Sequence, residues 1–317
     1  MSKDKLYKYR SGSTRDIEAL MNNQFYASSI EKLNDIHEGK IVIDNQEIKL
    51  LDLLVKNNGS SFNISIEKNL EDFIRIYKKS GVYSLSKCYN NELLWAYYAD
   101  SHKGFCIEYD YDILKQYPCN EDNFFDAKYS ENVPIISSKN LLSIKEFIAT
   151  KSLNWKHEEE IRLLTPSEGM FDYFSRAVKS IYFGHRTPEN TIKLVMNILR
   201  GKGIEYYQIT HQKNTYKLIR KKIEDIFKDE SIYKNKVNKF VPYLLKDEKS
   251  YEDLIKKAII IVEQEHLCEE VVDASKSSTK GTKDNPVFFI SYKNETKNIF
   301  GRNYFISKKA IEEIFKN

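Results

Sequence analysis

The stretch that most constrains this chain is Trp155–Leu164, W-K-H-E-E-E-I-R-L-L. Read as a β-strand, it sends alternate side chains to opposite faces. His157, Glu159, Ile161 and Leu163 fall on one side, and Glu158, Glu160, Arg162 and Leu164 on the other. Two carboxylates and a guanidinium then share one row. In a partly buried sheet such a row is costly unless its charges are paired or used. The plainer alternative is a charged, solvated strand face.

The 317 residues suit one larger and one smaller unit. Lysine and arginine number 50 against 46 acids, so the net charge of +4 demands no nucleic-acid partner. Tyrosine is abundant at 22 residues, as befits half-wet clefts where rings keep one polar end. Cys88, Cys106, Cys119 and Cys268 lack C-x-x-C spacing and read as reduced thiols, not as a zinc site or disulfide framework. With no secretion signal and no apolar run long enough to span a bilayer, the expectation is a cytoplasmic protein without a membrane partner.

Along the chain, Leu6–Arg10 and Gln24–Ala27 alternate as short strands, and Ser13 or Thr14 caps a helix between them. Asn34, Asp35, His37 and Glu38 crowd a polar loop, where Asn and Asp turn chemistry is the simplest reading. Ile41–Ile43 is a candidate strand, Asn57–Ser61 a connection, and Asn69–Lys79 has helical spacing. Val82–Ser86 and Phe105–Asp110 read as strands flanking a helix capped by Asn90 or Asn91, with Leu93, Leu94, Tyr97 and Tyr98 as its apolar stripe. Leu141–Lys151 reads as a helix and Val178–Gly184 as a strand. Thr187, Pro188 and Glu189 open a helix that Gly201 stops, and Ile204–Ile209 and Tyr216–Ile219 are further strands.

Strands and helices mix irregularly, so the expected fold class is α+β, with residues 1–221 as a catalytic-like domain. Residues 222–317 are expected to form an accessory region, mainly helical, over Ile223–Tyr233, Val241–Leu245 and Tyr251–Glu270. Ser275–Asp284 reads there as a flexible loop, Val287–Tyr292 and Asn303–Ile306 as a hairpin, and Ser307 as the cap of a last helix. This region is a candidate docking module for a partner protein.

Several blocks carry a resemblance: L-Y-K-Y-R-S at 6–11, F-Y-A-S-S-I-E-K-L-N-D-I-H-E at 25–38, G-V-Y-S-L-S at 81–86, L-L-W-A-Y-Y-A-D-S-H-K-G-F-C-I-E-Y-D at 93–110 and W-K-H-E-E-E-I-R at 155–162. Together they resemble a bacterial family known as domain of unknown function (DUF) 2971, over roughly residues 5–220. That family implies no activity.

An early strand arginine, a central S-x-S strand and a late E-x-E-[IV] strand, in that order, are also similar to the ADP-ribosyltransferase superfamily. That resemblance implies a core of short strands in two small packed sheets with flanking helices. It further implies NAD as substrate, Arg10 and Ser84 as NAD-binding residues, Glu160 as the catalytic glutamate and Glu158 as the residue orienting the acceptor. Ser86, Tyr9, Tyr97 and Arg162 complete the candidate cofactor-binding set. Ser84-Leu85-Ser86 departs from the pattern, which more often has threonine or tyrosine in the middle.

The chemistry fits these residue types. Breaking a nicotinamide–ribose bond develops oxocarbenium-like charge, which a nearby carboxylate stabilises. An arginine fork suits a diphosphate. The expected acceptor is a protein, nucleic acid or nucleotide, and bacterial toxins and phage-defence effectors are natural settings for such an enzyme. The runner-up is a metal-dependent nuclease or phosphodiesterase using Asp35, Glu38, Glu158 and Glu160. A third reading is a non-catalytic nucleotide- or protein-binding module in which the glutamates and Arg162 form an ion-pair network.

Overall fold

The computed structural model describes residues 5–40, 42–43, 80–118, 121–136, 144–228, 248–265, 268–294 and 302–315, with isolated positions between 46 and 79. The sequence expectations for Asn57–Ser61 and Val241–Leu245, and most of Asn69–Lys79, lie outside the described residues.

In chain order, β1 (Lys5–Arg10) leads through α1 (Thr14–Met21) to β2 (Gln24–Ser29) and the short β3 (Val42–Ile43). Next come β4 (Gly81–Ser86), α2 (Glu92–Tyr98), β5 (Phe105–Asp110) and α3 (Tyr111–Leu114). Then follow β6 (Phe124–Asp126), β7 (Lys128–Ser130), β8 (Ile135–Ile136), α4 (Ile144–Ala149) and β9 (Thr150–Ser152). Beyond these lie β10 (Glu160–Thr165), β11 (Gly169–Asp172), β12 (Val178–Phe183), α5 (Glu189–Ile198), β13 (Glu205–His211) and β14 (Leu218–Ile223). The last elements are α6 (Glu252–Glu263), β15 (Cys268–Gly281), β16 (Pro286–Asn294), β17 (Arg302–Ser307) and α7 (Lys308–Ile314).

The architecture mixes α and β, but the two small sheets expected for the core are not what forms. One ten-stranded sheet runs β11-β2-β4-β1-β5-β12-β13-β14, and β10 joins it by pairing with β4 and β6. Two-stranded ladders, β3 with β8 and β7 with β9, lie beside it. Sequence alternation decides its two faces. Leu6, Tyr83, Leu85, Ile107, Ile161 and Leu163 point into one core, which Val195, Met196 and Leu199 of the α5 region cover. Tyr7, Tyr9, Cys106 and Tyr182 point into the other, beneath Leu94 and Trp95 of α2. The α2 stripe is therefore shifted from the expected one. Leu94 and Trp95 are buried, while Leu93 and Tyr97 face outward.

The caps follow local chemistry. Ser13 Oγ accepts from the Asp16 amide, Asn91 Oδ1 from Leu93 and Leu94, and Ser307 from Ala310. At α5 the expected cap is displaced. Pro188 occupies the N-cap position, and Thr187 Oγ1 donates instead to the Gly104 carbonyl at 2.6 Å.

The C-terminal part also differs from expectation. Ser275–Gly281 belongs to the long strand β15, which β16 pairs along its length before β17 closes a three-stranded antiparallel sheet. The polar run misled because β15 is exposed along much of that stretch and needs no apolar face there. Ile223 ends a strand instead of opening a helix, and α6 stops at Glu263. This sheet packs on α6 and α7 around Phe288, Ile290, Tyr304 and Ile306. Tyr117 and Phe174 from the preceding part of the chain enter the same cluster, with their rings 5.0 and 5.4 Å from Tyr304.

Gly104, at the start of β5, shows how closely the backbone packs here. A Cβ at this position would sit 2.0 Å from the Arg10 carbonyl oxygen. Gly104→Ala is expected to destabilise the protein by about 1–3 kcal/mol, as overpacking does. Urea denaturation followed by circular dichroism measures it.

Candidate functional site

The expected single strand over Trp155–Leu164 does not form. Leu153–Glu158 is a 3-10 helix, and Glu159 takes a left-handed conformation (φ 45°, ψ 50°) before β10 starts at Glu160. Glu158 and Glu160 therefore do not share a strand row. They converge because the left-handed residue turns the chain between them, and Lys87 N donates to the Glu159 carbonyl at 3.2 Å to hold the turn. Ser86 Oγ fixes the other side, donating to the Glu158 carbonyl at 2.8 Å.

Both glutamates are buried, and a cation lies between them. The Lys151 ammonium bonds Glu158 Oε2 and also Glu160 Oε2, the latter at 2.9 Å. Arg162 grips Glu160 with Nε on Oε1 at 3.1 Å and Nη2 on Oε2 at 3.2 Å. Its Nη1 pairs with Glu38 Oε1 at 2.7 Å and also meets the Ile148 carbonyl. Tyr98 donates to Glu158 Oε1 at 2.6 Å, and Tyr129 Oη accepts from the Glu160 amide at 2.8 Å. Three carboxylates thus surround two cations. Burial pushes the Glu160 pKa up, but Arg162 and Lys151 outweigh it and set the value at about 2. Burial raises Glu38 against the pull of Arg162. Its second oxygen, Oε2, is buried and has no hydrogen-bond partner among the described residues.

These groups border a cavity of about 210 Å³ lined by Tyr7, Lys8, Tyr9, Ser84, Ser86, Tyr98 and the Lys151–glutamate cluster, among others. The cavity lies where the large sheet splits. One edge of β4 pairs with β10 along its whole length. Its other edge is shared, with β2 opposite Gly81–Val82 and β1 meeting it only at Tyr7–Ser86. In and beside this gap side chains replace the ladder. Lys8 Nζ donates to the Ser84 carbonyl at 2.7 Å, Tyr9 Oη to the Cys88 carbonyl at 2.9 Å, and Arg10 Nη2 to Tyr83 Oη at 3.5 Å. Tyr7 lies opposite Ser86, and Ser86 opposite Glu160, so these three form one row across three strands.

Of the sequence-expected site residues, Glu158, Glu160, Ser84, Ser86 and Tyr9 line this cavity. Arg10 does not. It is engaged by Asp16 at 3.5 Å and by Tyr83, among the residues of the opposite core. Tyr97 is 59 % exposed and packs edge-on to Trp155 and His157, because the α2 stripe turns Tyr98 inward in its place. Arg162 is 1 % exposed and stands behind Glu160 as its clamp. Asp35 belongs to the polar turn, its Oδ1 accepting from the His37 amide at 2.9 Å, whereas Glu38 joins the charge cluster. Among the described residues no three His, Cys, Asp or Glu side chains are grouped to hold a metal ion, and the Lys151 ammonium takes the position between the glutamates.

Sequence reading missed Lys8 and Lys151. Lys151 ends an expected helix but lies in β9, and no spacing in the sequence links it to Glu158 or Glu160. Glu108 was missed as well. It is 1 % exposed, opposite Tyr7 on β5, and accepts from Lys5 at 2.9 Å, Tyr7 at 3.2 Å and Tyr182.

A family model described as "Protein of unknown function (DUF2971)" matches residues 94–163, a span that includes Tyr98, Lys151, Glu158, Glu160 and Arg162. No curated protein and no solved structure matches the chain.

Removing one member of this network strands a buried charge. Arg162→Met is expected to cost about 3–5 kcal/mol of stability, measured by urea denaturation at neutral pH. The Glu160 contribution also has a pH signature. Because its folded pKa is depressed, the stabilisation is present above the ordinary carboxylate range and is lost as pH falls from 4.5 towards about 2. Lys151→Met should flatten that acid slope in pH-dependent unfolding.

Proposed function

We propose that the chain is an NAD-cleaving, ADP-ribosyltransferase-like enzyme, with the cavity at the sheet split receiving the nicotinamide end of NAD. The observation that carries this reading is Glu160, ionised and buried in the cavity wall beside the Ser84 and Ser86 side chains. A carboxylate kept charged without bulk water stabilises developing positive charge strongly. The cavity volume of about 210 Å³ is below that of drug-sized ligand sites, so it suits one end of a dinucleotide.

In this reaction the bond from ribose C1′ to nicotinamide breaks, and its electron pair leaves with the neutral nicotinamide. Glu160 offsets the oxocarbenium-like charge on the ribose. The acceptor's nucleophile then bonds to C1′ and gives up its proton, which in this reading passes to Glu158. Glu38 Oε2, buried without a hydrogen-bond partner among the described residues, is an acceptor for a ribose hydroxyl. Tyr7, Tyr9 and Tyr98 offer ring surface around the same space, their hydroxyls donating to Glu108, the Cys88 carbonyl and Glu158. Arg10, engaged away from the cavity by Asp16 and Tyr83, takes no part. The acceptor is a protein, nucleic acid or nucleotide, and residues 222–317 are proposed as the accessory unit that docks a partner.

One observation favours a second reading, a nucleotide-binding module without turnover. Both oxygens of Glu158 and both of Glu160 already have partners, as in a purely structural ion-pair network. Kinetics separate the two. Purified protein is expected to release nicotinamide from NAD, and Glu160→Gln to slow that release by about 10²–10³-fold while NAD still binds. Binding without release by the wild type would establish the module instead.

A further inference from the structure

The cations of the cavity are not equivalent. Lys151 and Arg162 are each held by carboxylates. Lys8 is not. Its ammonium donates to the Ser84 carbonyl at 2.7 Å and lies 4.8 Å from the centre of the Tyr83 ring. Among the described residues it makes no ion pair. An ammonium has three donors, so two remain for whatever enters the cavity that Lys8 lines.

The charged and titratable surroundings of Lys8 come from six elements. Arg10 follows it on β1, Asp16 stands on α1, Tyr83 on β4 and Cys106 on β5, and Glu158 and Glu160 flank the β9–β10 side. Burial and the Arg10 guanidinium lower the Lys8 pKa to about 7, against the smaller upward pull of Glu160, Glu158 and Asp16. Lys8 is therefore divided between ammonium and neutral amine near neutral pH. An anion seated against it favours the ammonium, so binding and protonation are linked in both directions.

We propose that Lys8 is the anion-receiving group of the cavity, holding a phosphate or diphosphate of the ligand and taking up a proton from solvent as it does so. This deepens the nucleotide reading of the same cavity and rests on it, but its test reads binding and not cleavage. Arg10, the basic residue two positions along β1, is engaged by Asp16 and Tyr83 and cannot serve. Lys32 lines the cavity too, but it is exposed and paired with Glu168 at 2.7 Å.

The experiment is isothermal titration calorimetry with ADP-ribose, and with adenosine as a phosphate-free control, on the full chain. At pH 7.5 the ADP-ribose titration is repeated in two buffers of different ionisation enthalpy, which counts protons. Wild-type protein is expected to take up a fraction of a proton with ADP-ribose and to bind it more weakly at pH 8.5 than at pH 6.5. Lys8→Met should weaken ADP-ribose by about tenfold or more and leave adenosine unchanged. Lys8→Arg, which carries a fixed charge, should keep binding but abolish the proton uptake. Near-ultraviolet circular dichroism of both variants checks that they fold. Equal ADP-ribose affinity in wild type and Lys8→Met overturns the proposal, as does wild-type binding without proton uptake or no ADP-ribose binding at all. Proton-linked binding without nicotinamide release from NAD would sink the enzymatic reading and leave this one standing.

Discussion

The clamp on Glu160 is the interaction from which the rest of the site follows. A carboxylate 3 % exposed is stable as an ion only if the protein replaces its water with donors of opposite charge. Arg162 reaches it from two positions along the same strand, and Lys151 from β9. Each cation then needs further carboxylate or carbonyl partners. Lys151 takes Glu158, while Arg162 takes Glu38 and the Ile148 carbonyl. One buried charge thus recruits the polar loop, the 3-10 helix and the end of α4 to a single point. Five charged side chains from separate parts of the chain agree on one geometry, which is what a preorganised electrostatic site requires.

The sheet is irregular beside this clamp. A regular ladder between β1 and β4 would close the space in front of Glu160. The two strands instead meet at one pair, and the remaining contacts are made by the side chains of Lys8, Tyr9 and Arg10. Of the backbone acceptors left open on β4, the Ser84 carbonyl is satisfied by the Lys8 ammonium. Tyr83 Oη and Tyr109 Oη, 3.2 Å apart, add a contact behind it between β4 and β5.

Much of this was legible in the sequence wherever the information is local. Alternation placed β1, β4 and β5, and Ser13, Asn91 and Ser307 cap helices as their side chains dictate. Glu158 and Glu160 stood out because a row of charges in a partly buried sheet is costly unless it is paired or used. Their route to the cavity was not legible, since a left-handed Glu159 leaves no compositional trace when the residue is not glycine. Lys151 and Lys8 were invisible for a different reason. Lys8 bonds Ser84, 76 residues away, and Lys151 reaches Glu158 and Glu160 only because the 3-10 helix and the left-handed Glu159 fold the chain back between them. In the C-terminal sheet the hairpin over Val287–Tyr292 and Asn303–Ile306 was legible, but β15 was misread because an exposed strand paired along one edge carries the polar composition of a loop.

The stitched boundary between β1 and β4 has a mechanical consequence. On one side β1, β5, β12, β13 and β14 are zipped by backbone ladders with one bulge at Val178–Ser180, and on the other β10 grips β4 over its full length. At the line where the panels join, one residue pair, a few side-chain tethers and the shared core around Leu6, Tyr83, Leu85 and Ile107 take over from the ladders. Whatever enters the cavity must sit on that line, so its own contacts to both panels become the missing rungs.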